Sequence, residues 1–428
     1  MKDKIDSLFK NLPLSRRAFL KYTGIGTGLY LAKRWLKVPS LGLADDRPRV
    51  VSLHNSNATA YDYRNYDYWE HVNHVSQDVV NNMMAQGVKA LTGKTNTVDA
   101  WNALIPYQSG ESVVMKFNLN CNGCNKNNNR LDGLPQTGNA IIDGLTSIGV
   151  PGDKIWITDP SRQVSEKFRN FIVNPNIHYY TSNAWSCSGS NYHKVPYVDP
   201  SSPHASVATC PALDGEKILP SEVLVKADHL INVPKLVSHG PYVTSALKNH
   251  YGSVFFEHYD RPGMHAFFNE GGNTAGCDLE HTNILADINN NPHIRDKTRL
   301  VIGEGLFGNA HACWLEPQRW TIFGNGIPNM YFFSTDPIAI SSVMTDYIVA
   351  ERGNQDHQQL HAGAYIGLGV HDHWDSFETK RYSLIDYLNI DLDTVNRLDI
   401  DRVIKDFKAE SPMEQDVKDK IKAYMETP

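Results

Sequence analysis

The middle of the chain alternates short apolar runs with segments of helical periodicity. Short apolar runs predict strands that are buried on both faces, and these strands are predicted at residues 49–53, 112–118, 154–158, 230–233, 298–303 and 330–334. Apolar side chains at helical spacing predict helices between them, at residues 69–91, 98–105, 138–148, 281–289 and 336–349. Strands that alternate with helices are typical of parallel pairing through right-handed crossovers. The pattern therefore predicts an α/β fold with a mostly parallel sheet, flanked by helices on both faces.

The beginning of the chain has the features of an export signal. The run Ser15-Arg16-Arg17-Ala18-Phe19-Leu20-Lys21 matches the twin-arginine signal, and small residues before Asp45 suit cleavage. The weakly apolar residues 22–32 are too few to span a bilayer stably. We predict a signal peptide at 1–44, export to the periplasm through the twin-arginine translocon, and no stable transmembrane segment. The alternative is a basic amphipathic helix.

The rest of the chain is predicted to form one α/β domain at 45–380 and a helical C-terminal tail at 381–428. A stretch rich in Ser, Pro and Asn predicts a loop-rich insertion at about 182–215. Removal of residues 1–44 would leave 32 Lys and Arg against 45 Asp and Glu, a formal charge of −13. A nucleic-acid partner is disfavoured, because phosphate binding requires a basic surface.

Residues 228–252 carry the densest set of reactive side chains. Pro234 cannot donate a ladder hydrogen bond, so the preceding strand is expected to end near Asn232 and to place Lys235 and His239 on a loop. A helix over residues 245–248 is expected to follow, with Gly252 ending it in a left-handed conformation. Ligands of open α/β sheets bind at the carboxyl ends of strands, so this segment predicts a site.

These residues also resemble a known family. The motifs N-V-P-K-L-x-S-H-G at 232–240 and V-T-x-A-L-K-N-H-Y-G at 243–252 are similar to the signature of the domain-of-unknown-function 362 family. Further similar segments are Met264-His265, residues 294–300, 305–308 and 334–339, so the resemblance covers about 113–369. It implies an α/β fold and candidate site residues but no particular reaction. Val237 stands where many members carry a second lysine, and the ferredoxin-like cysteine clusters of many relatives are not visible here.

The predicted site combines cations, amides and histidines. Lysines that follow apolar strands are costly to bury unpaired, which favours a cleft for a carboxylate or phosphate. The predicted substrate-binding residues are Lys116, Asn118, Asn232, Asn249 and Asp336. The predicted catalytic residues are Lys235, His239, Lys248 and His265, because a desolvated lysine or an imidazole can move a proton. The alternative is that the lysines pair with Asp159, Asp228 or Asp336 and brace strand ends.

A metal site is a second possibility. Cys277 and His281 are four residues apart, and with His265 they would supply three ligands for Zn, Cu or Fe, although the spacing matches no established metal motif. Cys121-x-x-Cys124 favours a small structural disulfide over a redox pair or half of a metal site. Cys187 with Cys210 is a candidate second bridge, which leaves Cys277 and Cys313 paired or free.

The leading hypothesis is an exported enzyme that acts on a small anionic molecule. The alternatives are a periplasmic metal- or cofactor-binding redox or binding protein and a solute-binding module without chemistry. Twin-arginine export carries folded proteins, which makes a bound cofactor more plausible without requiring one.

Overall fold

The structure is a computed structural model, and it describes residues 47–61, 73–120, 130–182, 187–239, 242–268, 277–312, 315–353 and 357–394. The predicted signal peptide, Cys121, Cys124 and Cys313 lie outside these residues, as does the predicted tail beyond residue 394. None of the described helices is long and apolar enough to cross a membrane.

Strands and helices alternate through most of the chain. The strands are β1 (Arg49–His54), β2 (Val113–Phe117), β3 (Ile155–Thr158), β4 (His178–Thr181), β5 (Tyr192–Lys194), β6 (Ser206–Val207), β7 (Lys217–Pro220), β8 (His229–Val233), β9 (Lys235–His239), β10 (Tyr242–Val243), β11 (Val254–Phe256), β12 (Thr298–Asn309), β13 (Met330–Ser334) and β14 (Asp386–Asp391). The helices are α1 (Gln77–Thr92), α2 (Thr97–Leu104), α3 (Pro135–Ser147), α4 (Glu166–Asn170), α5 (Glu222–Lys226), α6 (Ala246–Asn249), α7 (Arg261–Met264), α8 (Ile284–Asn290), α9 (Pro292–Arg295), α10 (Pro337–Arg352) and α11 (Gln358–Tyr365).

The main sheet is mixed and mostly parallel, which confirms the predicted α/β class. Its strand order is β14-β1-β13-β12-β8-β2-β3-β4-β5, and β9 pairs with β12 and with β10. The chain leaves β2 towards β3 and β4, whereas it leaves β8 towards β12 on the other side. The strand order therefore reverses between β2 and β8, and their carboxyl ends lie side by side. Ligands of open α/β sheets bind at such a reversal point.

Alternating side chains place a core on each face of the sheet. In β1, Val51 and Leu53 pack in a core with α1 to α4, whereas Val50 packs in a second core with α6, α10 and α11. In β8, Ile231 faces the first core and Leu230 a third, which α5, α8 and α9 cover. Because successive side chains of a strand point to opposite faces, these runs are apolar throughout.

Three expectations about local structure are wrong. Lys235 and His239 lie in β9 and not in a loop, because β9 continues next to β12 after Pro234 interrupts the ladder. Residues 386–391 of the predicted helical tail form β14, which pairs in parallel with β1. Gly252 is not in the left-handed region. Instead, it allows a close approach, since a Cβ atom there would lie 2.7 Å from a serine hydroxyl oxygen.

The predicted insertion contains few regular elements. Within about 182–215 the described residues include only β5, β6 and a short 3-10 turn at Pro211–Leu213. The strand β6 joins β7 and β11 in a separate antiparallel sheet. After β7 the chain passes through α5 and enters β8, one of the two strands at the reversal point.

Candidate functional site

A buried hydrogen-bond network joins three of the predicted residues at the reversal point. Lys116 on β2 and Asn232 on β8 are register partners in adjacent parallel strands. The Lys116 Nζ donates to the Asn249 Oδ1 at 2.9 Å, and the Asn249 Nδ2 donates to the Asn232 Oδ1 at 2.7 Å. These side chains are almost fully buried. The network therefore ties α6 to the carboxyl ends of two central strands.

Asp159, which follows β3, compensates the charge of Lys116. The Lys116 Nζ lies 3.3 Å from the Asp159 Oδ2, and that oxygen also accepts a hydrogen bond from the Leu119 backbone N–H at 2.9 Å. Burial lowers the pKa of Lys116 to about 8, although the charge of Asp159 opposes the shift. Gly252 packs against this pair, because a Cβ atom there would lie 2.9 Å from the Asp159 Oδ1.

Lys235 lies in a second buried polar cluster. Its Nζ donates to the Leu131 carbonyl oxygen at 2.6 Å and lies 3.4 Å from the Asp132 Oδ1. Its register partner on β12 is Glu304. The Glu304 Oε2 accepts hydrogen bonds from the Thr137 Oγ1 at 2.6 Å and from a backbone N–H of the loop before α3 at 3.1 Å. Burial raises the pKa of Glu304 to about 7, while the charge of Lys235 opposes the shift.

The two ion pairs favour bracing over free cations for these lysines. Lys116 and Lys235 are each within 4 Å of a carboxylate. The sequence analysis named Asp159 as a possible carboxylate partner of these lysines, but it did not name Asp132. The paired charges compensate one another inside the protein, so these ammonium groups are held at strand ends by their neighbours.

Two predicted substrate-binding residues take part in local backbone structure. The Asn118 Oδ1 accepts a hydrogen bond from the Asn120 backbone N–H at 3.3 Å. The Asp336 Oδ1 accepts from the Ile338 and Ala339 N–H groups at 2.8 Å each, so Asp336 is the N-cap of α10. Burial raises the pKa of Asp336 to about 6, and these amide hydrogen bonds oppose that shift. Helix capping thus explains the burial of Asp336 without a substrate.

Three predicted catalytic residues lie together at the carboxyl end of β9. The rings of His239 and His265 have centroids 6.0 Å apart. The Lys248 Nζ donates to the His239 carbonyl oxygen at 2.8 Å and lies 5.5 Å from the centroid of the Phe268 ring. The Phe268 ring is in turn 4.9 Å from that of His265. Both histidines are half-buried. The Phe268 ring thus contacts both His265 and the Lys248 ammonium group, and the His239 ring lies next to that of His265.

Arg261 and Tyr251 fix the orientation of His265. The His265 Nδ1 is 2.8 Å from the Arg261 carbonyl oxygen, which can only accept, so Nδ1 carries the proton. The lone pair of the neutral ring is then on Nε2. The Tyr251 hydroxyl donates to the same carbonyl oxygen, and its ring packs edge-on against His265 at 4.9 Å. The Arg261 guanidinium lies 5.3 Å from the centroid of the Tyr197 ring and donates to the Tyr197 hydroxyl.

The predicted metal site at His265, Cys277 and His281 is wrong. Cys277 forms a disulfide with Cys210, so its sulfur is not a thiolate ligand. The exposed His281 packs against the Tyr365 ring at 4.6 Å. The described residues contain two groups whose ligand atoms lie within 4.8 Å of one another, and neither includes these three residues.

The disulfide also corrects the predicted pairing of Cys187 with Cys210. Cys210 and Cys277 have Cα atoms 5.0 Å apart, although 67 residues separate them in sequence. Cys187 is itself disulfide-bonded. Cys187 is closer to Cys210 in sequence, whereas packing in the third core brings Cys210 and Cys277 together.

The sequence analysis did not identify Glu304 or either of the two groups with close ligand atoms as candidate sites. Glu304 is a carboxylate within the apolar run of β12, and an isolated acid in a buried strand is a signal in itself. His357, His371 and His373 form one of the two groups with close ligand atoms, and the H-x-H spacing of the last two is a weak signal. Burial and neighbouring histidines lower the pKa of His371 to about 2, whereas the Asp346 carboxylate raises the pKa of His373. The other group, His54 with two aspartates of the β14 end, is partly exposed.

No family model, curated protein or solved structure matches this chain. Membership of the domain-of-unknown-function 362 family therefore stays a prediction from the motifs.

Proposed function

We propose that this protein is an exported enzyme that acts on a small anionic substrate at the carboxyl ends of its central strands. The observation that supports this most directly is the grouping of His239, Lys248 and His265, in which Lys248 directly precedes Asn249 of the network at the reversal point. The Lys248 Nζ donates to the His239 carbonyl oxygen, and in this proposal its ammonium group binds the anion. Lys116 and Lys235, with their carboxylate partners, support the strand ends.

His265 is the proposed proton-transfer group. Its Nδ1–H is directed at the Arg261 carbonyl oxygen, so Nε2 is the atom that accepts a proton from a substrate. Imidazole is the side chain used most often for this step in enzymes. His239 is the second proposed proton-transfer group, because its ring lies close enough to share one bound molecule with His265.

Export through the twin-arginine pathway is part of the same proposal. The signal-like sequence around Arg16 and Arg17 supports it. The disulfide between Cys210 and Cys277 adds support, because disulfides persist in oxidising compartments such as the periplasm and are rare in the cytosol.

An anion-binding test compares two lysine variants. Thermal unfolding of the exported protein would be followed with mono- and dicarboxylates, phosphate and phosphate monoesters, since a ligand of the native state raises the midpoint. Lys248→Met is expected to abolish the rise for any anion that stabilises the wild type. Lys226→Met is the matched control, because its ammonium is mostly exposed and pairs only locally with Glu222. The proposal fails if no anion raises the wild-type midpoint or if Lys248→Met responds as the wild type does.

A histidine variant separates an enzyme from a binding module. With an anion identified in the first test, His265→Gln is expected to bind it within a few-fold of the wild type and to lower its turnover by about 10²- to 10⁴-fold. His258→Gln is the control, because the ring of His258 is largely exposed and pairs with Glu216. A bound anion that the wild type leaves chemically unchanged would instead establish a solute-binding module.

A further inference from the structure

Three histidines meet above α10 and outside the proposed anion site. His357 immediately precedes α11, and His371 and His373 lie in the segment that follows α11. One nitrogen from each ring lies within 4.8 Å of the other two. Ring centroids are 4.2 Å apart for His357 and His373 and 4.6 Å apart for His371 and His373. The three imidazoles therefore surround a single point.

Two ring nitrogens of these histidines are buried without a hydrogen-bond partner. Among the described residues, neither the His357 Nδ1 nor the His371 Nε2 has one. A buried polar nitrogen without a partner is unfavourable and requires an explanation, such as an ion that it binds. His357 and His371 both belong to the group with close ligand atoms, so a single ion between the rings would give these two nitrogens a ligand bond.

Side chains of α10 hold the Nδ1 atoms of His371 and His373. The His371 Nδ1 is 2.8 Å from the Ser342 Oγ, and the His373 Nδ1 is 3.0 Å from the Asp346 Oδ1. Ser342 and Asp346 are four residues apart and so lie on one face of α10. Each contact leaves the Nε2 of its histidine as the nitrogen that can bind an ion. Metal-binding histidines almost always have such an outer partner on the second ring nitrogen.

Asp346 is itself fixed by two further hydrogen bonds. Its Oδ2 accepts from the Tyr382 hydroxyl at 2.7 Å and from the Trp374 backbone N–H at 3.1 Å. The carboxylate is almost fully buried. A buried carboxylate with both oxygens engaged holds the His373 ring in one orientation, as the outer partner of a metal ligand must.

We propose that His357, His371 and His373 bind a divalent transition-metal ion of the zinc class. Imidazole nitrogens suit Zn²⁺, Cu²⁺ and Ni²⁺, whereas Mg²⁺ and Ca²⁺ require oxygen ligands. Tetrahedral Zn²⁺ with bonds of about 2.0–2.1 Å separates its ligand nitrogens by about 3.3 Å. The nitrogens lie within 4.8 Å of one another, so only small side-chain adjustments are needed. Three histidines leave a fourth position open, as in catalytic zinc sites.

The test measures metal binding directly. Full-length exported protein would be stripped with EDTA, dialysed and titrated with Zn²⁺ by calorimetry, and metal content would be measured by mass spectrometry. We expect one Zn²⁺ ion per chain for the wild type and loss of that binding in His371→Gln. His281→Gln is the control, because it removes an exposed histidine of the earlier candidate set. Substoichiometric binding by the wild type, wild-type binding by His371→Gln or loss of binding in His281→Gln would each overturn the proposal.

Two further measurements exclude a purely structural role. Asp346→Asn keeps a hydrogen-bonding side chain, and it is expected to weaken Zn²⁺ affinity by about 10- to 100-fold with the stoichiometry unchanged. The Co²⁺-substituted protein should show visible ligand-field bands without a thiolate charge-transfer band, because all three ligands are imidazoles. Wild-type affinity in Asp346→Asn or a thiolate band would contradict the assignment. If His371→Gln fails to fold in EDTA by circular dichroism, His373→Gln and the wild-type stoichiometry decide the outcome.

Discussion

Glu304→Gln is expected to remove one pH-dependent contribution to the folding stability. The Glu304 carboxyl is enclosed by β12 and the start of α3, and its Oε2 accepts hydrogen bonds from Thr137 and Leu134. Burial raises its pKa from 4.5 to about 7, the positive Lys235 opposes that shift, and the negative Asp132 adds to it. Glutamine has nearly the same shape and retains a carbonyl oxygen for both hydrogen bonds, but it does not titrate.

The sign of the effect follows from the direction of the shift. Below pH 4.5 the carboxyl is protonated in both the folded and the unfolded chain. Its contribution to the free energy of unfolding is therefore at its maximum there. Between pH 4.5 and about 7 the unfolded chain releases this proton while the folded chain retains it, and the free energy of unfolding falls. Each pH unit costs about 1.4 kcal/mol in this window, which amounts to a loss of about 3 kcal/mol. Above pH 7 the contribution is constant.

The assay is urea unfolding of the wild type and of Glu304→Gln between pH 4 and 8. Other buried groups also titrate in this range, among them Asp287, whose pKa burial raises to about 6. The informative quantity is therefore the difference in the free energy of unfolding between Glu304→Gln and the wild type at each pH. We expect that difference to change by about 3 kcal/mol in favour of the variant as the pH rises. The exposed Glu166→Gln is the control and should show no such trend. Parallel pH profiles for the wild type and Glu304→Gln would refute the assignment of a raised pKa to this carboxyl.

Three further outcomes are expected. Replacement of Cys210 and Cys277 by serine should lower the free energy of unfolding by about 4 kcal/mol in urea titrations, because the disulfide closes a loop of 67 residues; an unchanged midpoint would contradict this. Gly252→Ala should destabilise the protein by about 1–3 kcal/mol, since the added methyl group would lie 2.7 Å from a serine hydroxyl oxygen, and thermal unfolding would detect it. Replacement of Arg16 and Arg17 by lysine should leave the protein in the cytoplasmic fraction on immunoblots; undiminished export would contradict the predicted signal.

Local patterns in the sequence predicted the framework of the fold. The strand at residues 330–334 was predicted with its observed bounds, and the strand–helix–strand unit of β2, α3 and β3 has the expected parallel pairing. Apolar periodicity is sufficient here because a strand covered on both faces requires an unbroken apolar run. The same reasoning placed Lys116 and Asn232 near the ends of two apolar strands, and the tertiary structure makes those strands adjacent.

The candidate sites depended more on contacts between distant parts of the chain. Lys235 is close to Asp132, which precedes it by 103 residues, and no local pattern indicates that pair. The proposed metal ligands extend from His357 to His373, and their outer partners lie on a helix that precedes them.

The sequence by itself thus determined the α/β class, the order of the central elements and the residue types at the strand ends, because burial and backbone hydrogen bonding act over a few neighbouring residues. Only the tertiary structure decided which charges are paired, which cysteines are joined and which histidines converge. These ion pairs, disulfides and histidine contacts form between segments that are far apart in the chain. They therefore depend on how the sheet and its helices pack rather than on any local pattern.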